Sequence, residues 1–428
     1  MKRVLIISPC LPPVNAADMQ RVRMSLPYFE DCGWTAEVVT VDPQYIDMVK
    51  DDLLLKSVPS DIKIHTVKAF DKKWTSKLGL GSIALRSLWF YKQKVNALLK
   101  KQKFDLIYFS TTAFPVTILG AYWKKRFNIP YVIDMQDPWH SEYYRNKPKA
   151  EQPSKYWFSY RLNKTLEPIA MKQVGGLISV SASYIEDLKN RYPQIKDIPS
   201  SVITFGAFEP DFKIAAENAD KFNSLLDPAF TNLVYIGRGG YDMQRAIDFL
   251  FRAFKAGLET NPDAFQSIKM YFIGTSYAPE GQGKQTIMPL AKQYGIENNV
   301  VEITNRISYY HTLITLTQAD ALFIPGSDDP KYTASKIYPY LLAKKPLLTI
   351  FHENSSANTV LRTCTENTVV QTFPAQEDGI INTVTDFLVK LAKKELPAIK
   401  LKDEFSRYSA AAMTEAQAGL FNKVLTNK

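Results

Sequence analysis

Two cationic residues stand where a parallel-sheet protein would hold a diphosphate. Gly237-Arg238 follows the apolar run Leu233 to Ile236, and the planar donor fork of an arginine matches phosphate oxygens. Ser335-Lys336 stands at an expected helix start, ahead of the apolar pattern Ile337, Tyr340 and Leu341. Lys345-Pro346 ends that helix, and Leu347 to Ile350 reads as a buried strand. A helix N-terminus offers free amides and the positive end of the dipole, so a lysine there opposes the dipole unless an anion shares the site. The plainer alternatives are a surface arginine beside the Gly239-Gly240 turn and a solvated lysine. A third group, Asp134, Asp137 and His140, lies in IDMQDPWH after the run Tyr131 to Ile133. Asp137 or His140 there suits general acid-base work on a hydroxyl. Asp137-Pro138 equally suits a turn or a helix cap. Asp328-Asp329 lacks the D-x-D spacing of a metal site and reads as a turn.

These groups need a scaffold that brings loops together. Short β-branched or aromatic runs recur at Val4 to Ile7, Ala36 to Val41, Leu106 to Phe109, Tyr131 to Ile133, Leu177 to Val180 and Val202 to Thr204. A polar stretch from Ala207 to Asn232 interrupts them. A second series runs through Leu233 to Ile236, Met270 to Ile273, Val300 to Ile303, Ala321 to Ile324, Leu347 to Ile350 and Thr368 to Val370. Helical patterns between strands predict parallel sheets covered on both faces. The expected class is α/β, with two doubly wound domains whose ligands bind beyond the C-terminal strand ends.

Composition narrows the partners. The 428 residues are enough for two full cores. Three cysteines (Cys10, Cys32, Cys364) without a CxxC pair, and four dispersed histidines, fit neither a disulfide framework nor a metal cluster; no metal is expected. MKRVLIISPC reads as a first strand, not a signal peptide, and no apolar run reaches the ~20 residues of a membrane span. The formal charge of +10 favours an anionic partner. Basic and aromatic residues interleave at Trp74 to Lys103, Tyr122 to Phe127 and Tyr143 to Lys164. This surface reads either as an interfacial face for an anionic membrane or as ordinary amphipathic helices on the sheet. For the Leu88, Tyr91, Val95, Leu98 and Leu99 face, packing on the sheet is the preferred reading. No recognisable nucleic-acid module accompanies the charge, so no nucleic acid is expected.

Seven segments in order carry a resemblance over nearly the whole chain: IISPCLPPVNAADMQR, FDLIYFS, NIPYVIDMQDPW, GGLISVSASYIEDL, NLVYIGRGG, YFIGT with NRISYYHTLITLTQADALFIPGSD, and SKIYPYLLAKKPLL. Together they resemble the GT-B glycosyltransferases, within them the retaining family four. The resemblance implies two Rossmann-like domains facing a central cleft. Residues 1–208 would form the acceptor-side domain, 209–400 the nucleotide-sugar domain, and 401–428 a helix crossing back to the first. It implies a donor diphosphate held by Gly237, Arg238, Ser335 and Lys336. It places Gly274, Arg306 and Ile307 near the nucleotide, and Ala16, Ala17 and Asp18 in the acceptor-side loop, with Asp137 and His140 as candidate catalytic groups. No cofactor is implied beyond the nucleotide diphosphate sugar as co-substrate; the acceptor would be a glycan or a lipid-linked one. The expected setting is cytoplasmic, peripheral on the inner leaflet, in cell-surface polysaccharide synthesis. The chain departs from the family in three places. The two family glutamates fall on Lys331 and Pro339, the lysine after the Gly-Arg pair falls on Met243 with Arg245 nearby, and the paired glycines of the first loop are Ala16-Ala17. These departures keep an alternative open: a catalytically degenerate nucleotide-sugar-binding protein assisting a glycan-assembly complex.

Overall fold

The computed structural model describes residues 1–142, 145, 149, 156–278, 280–329, 337–374 and 377–427. The chain divides into two units, Met1–Gly206 with Tyr408–Lys428, and Ala207–Arg407. The joints between the units fall at 206/207 and 407/408, where the sequence led to an expectation of 208/209 and 400/401.

The first unit is built on seven parallel strands: β1 (Lys2–Ile7), β2 (Trp34–Val41), β3 (Lys63–Val67), β4 (Leu106–Ser110), β5 (Tyr131–Met135), β6 (Gly176–Ser179) and β7 (Ser200–Val202). Their spatial order is β3-β2-β1-β4-β5-β6-β7. β4 and β5 are buried at every position, as strands covered on both faces must be. Of the two edge strands, β3 was not expected from the sequence and β7 was expected two residues late. In β3, Lys63, Ile64 and Thr66 are exposed, so it carries no apolar run. β7 ends where a strand had been expected to begin, because Ser200 and Val202 are exposed while Ile203, just beyond it, is buried.

The C-terminal helix Ala410–Thr426 belongs to this unit. Ser409 caps it, its hydroxyl accepting from the amide of Ala412 at 3.1 Å. Phe421 is fully buried, its ring 5.0 Å from Tyr108, 5.4 Å from Trp34 and 6.2 Å from Phe29. Burying one such ring contributes about 2–3 kcal/mol. The helix lies so close to the sheet that a Cβ on Gly176 would stand 2.6 Å from Val424.

The second unit holds six parallel strands: β8 (Thr231–Ile236), β9 (Ile268–Ile273), β10 (Val300–Ile303), β11 (Ala321–Pro325), β12 (Leu347–His352) and, after the short β13 (Thr365–Glu366), β14 (Val369–Phe373). Their order is β10-β9-β8-β11-β12-β14. β13 pairs antiparallel with β15 (Lys400–Leu401). In each large sheet the order of successive strands reverses once, between β1 and β4 in the first and between β8 and β11 in the second. A crevice opens beyond the strands at such a reversal. The fold therefore singles out the loops after β1, β4, β8 and β11.

Candidate active site

In the first unit, three loops converge at the reversal. Asp18, buried at the end of the loop after β1, accepts from the Thr111 hydroxyl at 2.9 Å and the Thr112 amide at 3.0 Å, both beyond β4. Gln136, beyond β5, donates to the Asp18 carbonyl at 3.2 Å. Ala16 is buried and Ala17 exposed. Beneath this junction lies Asp134, wholly buried, with Oδ2 2.6 Å from Arg21 Nε. The same oxygen accepts from Ser110 at 3.0 Å and from Gln136 at 2.9 Å. Asp134 is thus a structural anion that fixes the loops, not a group open to a ligand.

Asp137 and His140 leave the same strand but meet different surroundings. Asp137 is exposed at a cleft of about 590 Å³ whose walls include Thr112, Phe114 and Trp139. The protein around it, and then the Asp18 carboxylate, push its pKa above the usual carboxylate value. His140 does not line that cleft. Its ring is buried, 4.9 Å from that of Tyr160, and Nε2 makes no hydrogen bond. Burial and the charge of Arg191 hold it below the ordinary imidazole pKa. Its amide donates to Glu167 Oε2 at 3.0 Å, and Glu167 also pairs with Arg191 and accepts from Tyr192 at 2.8 Å. This buried carboxylate anchors the loop at its far end.

In the second unit, the chain after β8 continues to pair with the end of β9. Gly237 donates to Ile273 at 2.8 Å and Gly239 to Thr275 at 2.9 Å. Arg238 lies between them, about one-third exposed, with its fork closed on Asp242 at 2.9 and 2.5 Å. Ser327, beyond β11, donates to the same carboxylate at 2.6 Å, and Asp328 donates its amide to the Asp242 carbonyl at 2.8 Å. Burial would raise the pKa of Asp242, but the Ser327 hydroxyl and Arg238 hold it below the usual range. The two loops at the reversal are therefore joined through Asp242, a residue to which the sequence reading gave no role. Its signal was present: a carboxylate four residues after an arginine, in a Gly-rich turn.

The helix that should carry a diphosphate at its start begins, as described, at Ile337 and runs to Leu342. Ser335, Lys336 and Lys331 lie outside the described residues. The described part docks on β8: the Tyr340 hydroxyl accepts from the Ile236 amide at 2.7 Å and donates to its carbonyl at 3.1 Å. That pins the helix one residue before Gly237. Pro339 lies within it, Met243 is buried, and the Arg245 guanidinium covers the Phe373 ring at 5.1 Å.

Gly274 follows β9 with φ +75°, a backbone that suits glycine, and a Cβ added there would stand 3.7 Å from Arg306 Cα. Arg306 is exposed, its guanidinium 5.1 Å from the Tyr277 ring, and Ile307 is half-buried beside it. The wall between these loops is held by Glu302, whose buried carboxylate accepts from the amides of Thr286, Ile287 and Met288 at 2.8–3.0 Å and from the Thr275 hydroxyl at 2.8 Å. Among the described residues no three His, Cys, Asp or Glu gather as metal ligands would. None of the described helices is long and apolar enough to cross a membrane.

No protein-family profile matches the chain, and no curated protein sequence matches it. Solved structures do. The N-terminal domain of Candida albicans trehalose-6-phosphate phosphatase superposes with TM-score 0.61 at 14% identity, over 99% of this chain and 97% of that one. A glycosyltransferase from Rickettsia africae gives 0.58 at 12%, with both chains fully covered. TarM of S. aureus, solved with UDP, gives 0.55 at 12%, over 99% and 100%. The chain is similar to these proteins along its whole length, and its two Rossmann-like sheets are those of the GT-B fold.

Proposed function

We propose that the chain is a glycosyltransferase that moves a sugar from a nucleotide diphosphate sugar to a glycan or lipid-linked acceptor, with retention, in cell-surface polysaccharide synthesis. The observation that carries this reading is Arg238 at the β8/β11 reversal, held between two glycine amides that face the end of β9. An arginine there neutralises the nucleoside diphosphate as it leaves, where charge develops during transfer. Three of the similar structures were solved with UDP or a UDP sugar, which supports the donor class. Lys336 would add a second cation, so the reading calls for no metal and no cofactor besides the donor. The expected test result is that UDP or GDP raises the midpoint of thermal unfolding without added divalent ion, because a ligand bound only by the native state stabilises it. No shift at millimolar nucleotide, with or without magnesium, would remove the donor site.

On the acceptor side, Asp137 is the better placed base, since it lines a cleft and His140 does not. Its raised pKa has a consequence. The proton-accepting form is the carboxylate, and the Asp18 charge opposes that form. The acid limb of turnover should then lie above pH ~4, the ordinary carboxylate value. Asp18→Asn, which can still accept from Thr111 and Thr112, should move that limb to lower pH. A limb that stays put in the variant would remove Asp137 as the base.

The alternative, a degenerate nucleotide-sugar-binding protein in a glycan-assembly complex, is favoured by one observation: Asp242 already occupies the Arg238 fork. Nucleotide binding with neither transfer nor donor hydrolysis would select it. We place the protein in the cytoplasm, peripheral on the inner leaflet. Of the four tryptophans in the basic-aromatic stretches, Trp74, Trp89 and Trp157 are 72%, 51% and 65% exposed, whereas Trp123 is buried in the unit. The exposed three lie beside Lys72, Lys73, Lys77, Lys92 and Arg161, all exposed as well. The charge-aromatic mixture suits an anionic headgroup layer.

A further inference from the structure

The cleft beside Asp137 lies wholly within the first unit, between residues 76–85, 112–115, 137–139 and 158–163. At about 590 Å³ it is the size of a small-molecule site. Its apolar walls are Ile83, Leu85, Phe114, Trp139, Phe158 and Leu162. The polar groups along it are largely engaged by the protein itself. Ser82 caps the helix Ile83–Lys101 by accepting from the Leu85 amide at 3.4 Å. Thr112 donates its amide to Asp18. Ser159 donates to the Tyr156 carbonyl at 3.2 Å. Asn163 accepts from the Trp139 indole at 3.1 Å and donates to the Trp139 carbonyl at 3.2 Å. A sugar needs a dense set of free donors and acceptors, because each of its hydroxyls costs free energy when buried unpaired. This cleft offers chiefly dispersion and apolar area, with Asp137 as its one acidic group.

What lies beside the cleft indicates the source of an apolar ligand. The segment Lys72–Thr75 ahead of its Ser76–Gly81 wall presents Trp74, with Lys77 stacked on that ring at 5.2 Å, and Lys72 and Lys73 exposed. On the opposite wall, Trp157 precedes Phe158 and holds Arg161 over its ring at 5.7 Å. Phe158 in turn lies against Gly79, where an added Cβ would stand 3.0 Å from its ring, so the segments that carry the two exposed tryptophans adjoin there. Tryptophan with lysine or arginine at an apolar mouth matches the headgroup layer of an anionic leaflet.

We propose that this cleft takes the hydrocarbon chain of an anionic amphiphile drawn from a membrane leaflet. The inference rests on the transferase reading only in making that amphiphile the lipid-linked acceptor, whose accepting hydroxyl would then lie near Asp137. The test uses the full chain and a fluorescent long-chain alkyl phosphate in solution, titrated against wild type, Leu162→Glu and Leu162→Trp. The first variant places a charge in the cleft and the second fills it, and Leu162 is only half-buried, so either can fold; thermal unfolding identifies any that does not. Saturable binding is expected, at least tenfold weaker in the folded variants, displaced by a long-chain alcohol phosphate and not by a free oligosaccharide. A lipid-borne probe should transfer from anionic vesicles and poorly from neutral ones, and Trp74→Ala should slow that transfer while leaving solution binding intact. Equal binding in wild type and variants, no saturation, or displacement by the oligosaccharide overturns the proposal. Nucleotide stabilisation is measured in parallel. Probe binding without it leaves the cleft standing and sinks the transferase; the converse sinks the cleft alone.

Discussion

Replacing Arg21 with methionine is expected to destabilise the first unit by about 3–5 kcal/mol, the cost of stranding one partner of a buried ion pair. Arg21 and Asp134 are both fully buried, 2.6 Å apart. Arg21 also donates to the carbonyls of Ile203 at 2.7 Å and Thr204 at 3.1 Å, and its guanidinium lies 4.9 Å from the Phe205 ring. It therefore ties the helix after β1 (Met19–Ser25) and the end of β5 to the chain leaving β7. The double variant Arg21→Met with Asp134→Asn should recover part of the loss, because no uncompensated charge then remains inside. Denaturant unfolding of the four proteins in the cycle gives the coupling. If Arg21→Met unfolds at the wild-type midpoint, the pair does not organise the site. Loss without any recovery in the double variant would instead assign the energy to the Ile203 and Thr204 bonds.

That pair also shows why part of the site was hidden in the sequence. Two doubly wound sheets were legible because central strands are apolar at consecutive positions, as in Leu106 to Phe109 and Leu233 to Ile236. The edge strand β3, with Lys63, Ile64 and Thr66 exposed, lacks that pattern and was invisible. Gly237-Arg238 stood out because it follows a buried strand directly. Arg21 did not: it lies in a short helix between Met19 and Val22, and nothing local indicates that residue 134 will lie beneath it. Asp134 and Asp137 looked alike in IDMQDPWH, yet one points into the sheet and the other meets a cleft. Strand alternation ends at Met135, so period two could not assign their faces. Asp242, Glu167 and Glu302 are likewise carboxylates whose partners, apart from Arg238, lie 14 to 85 residues away. Spacing along the chain carries no record of such contacts.

The Arg238 fork gives the second large effect. Arg238→Ala should weaken UDP binding about ten- to a hundredfold, since a charge-assisted contact to phosphate contributes ~1.5–3 kcal/mol. Folding stability should change by no more than about 1 kcal/mol, because Arg238 and Asp242 are about one-third exposed and four residues apart. Asp242 makes the direction of a second variant informative. Its carboxylate competes with a diphosphate for the same fork, and asparagine would keep the Ser327 bond while removing that charge. Asp242→Asn should therefore tighten UDP several-fold, and it should recover some of the loss when combined with Arg238→Ala, where the unpaired Asp242 would repel the ligand. Lys336→Ala should weaken UDP over the same range as Arg238→Ala. Titration calorimetry of these variants reads affinity apart from turnover. Wild-type affinity in both Arg238→Ala and Lys336→Ala would put the diphosphate elsewhere. Weaker binding in Asp242→Asn would make Asp242 the support that aims Arg238, not its competitor.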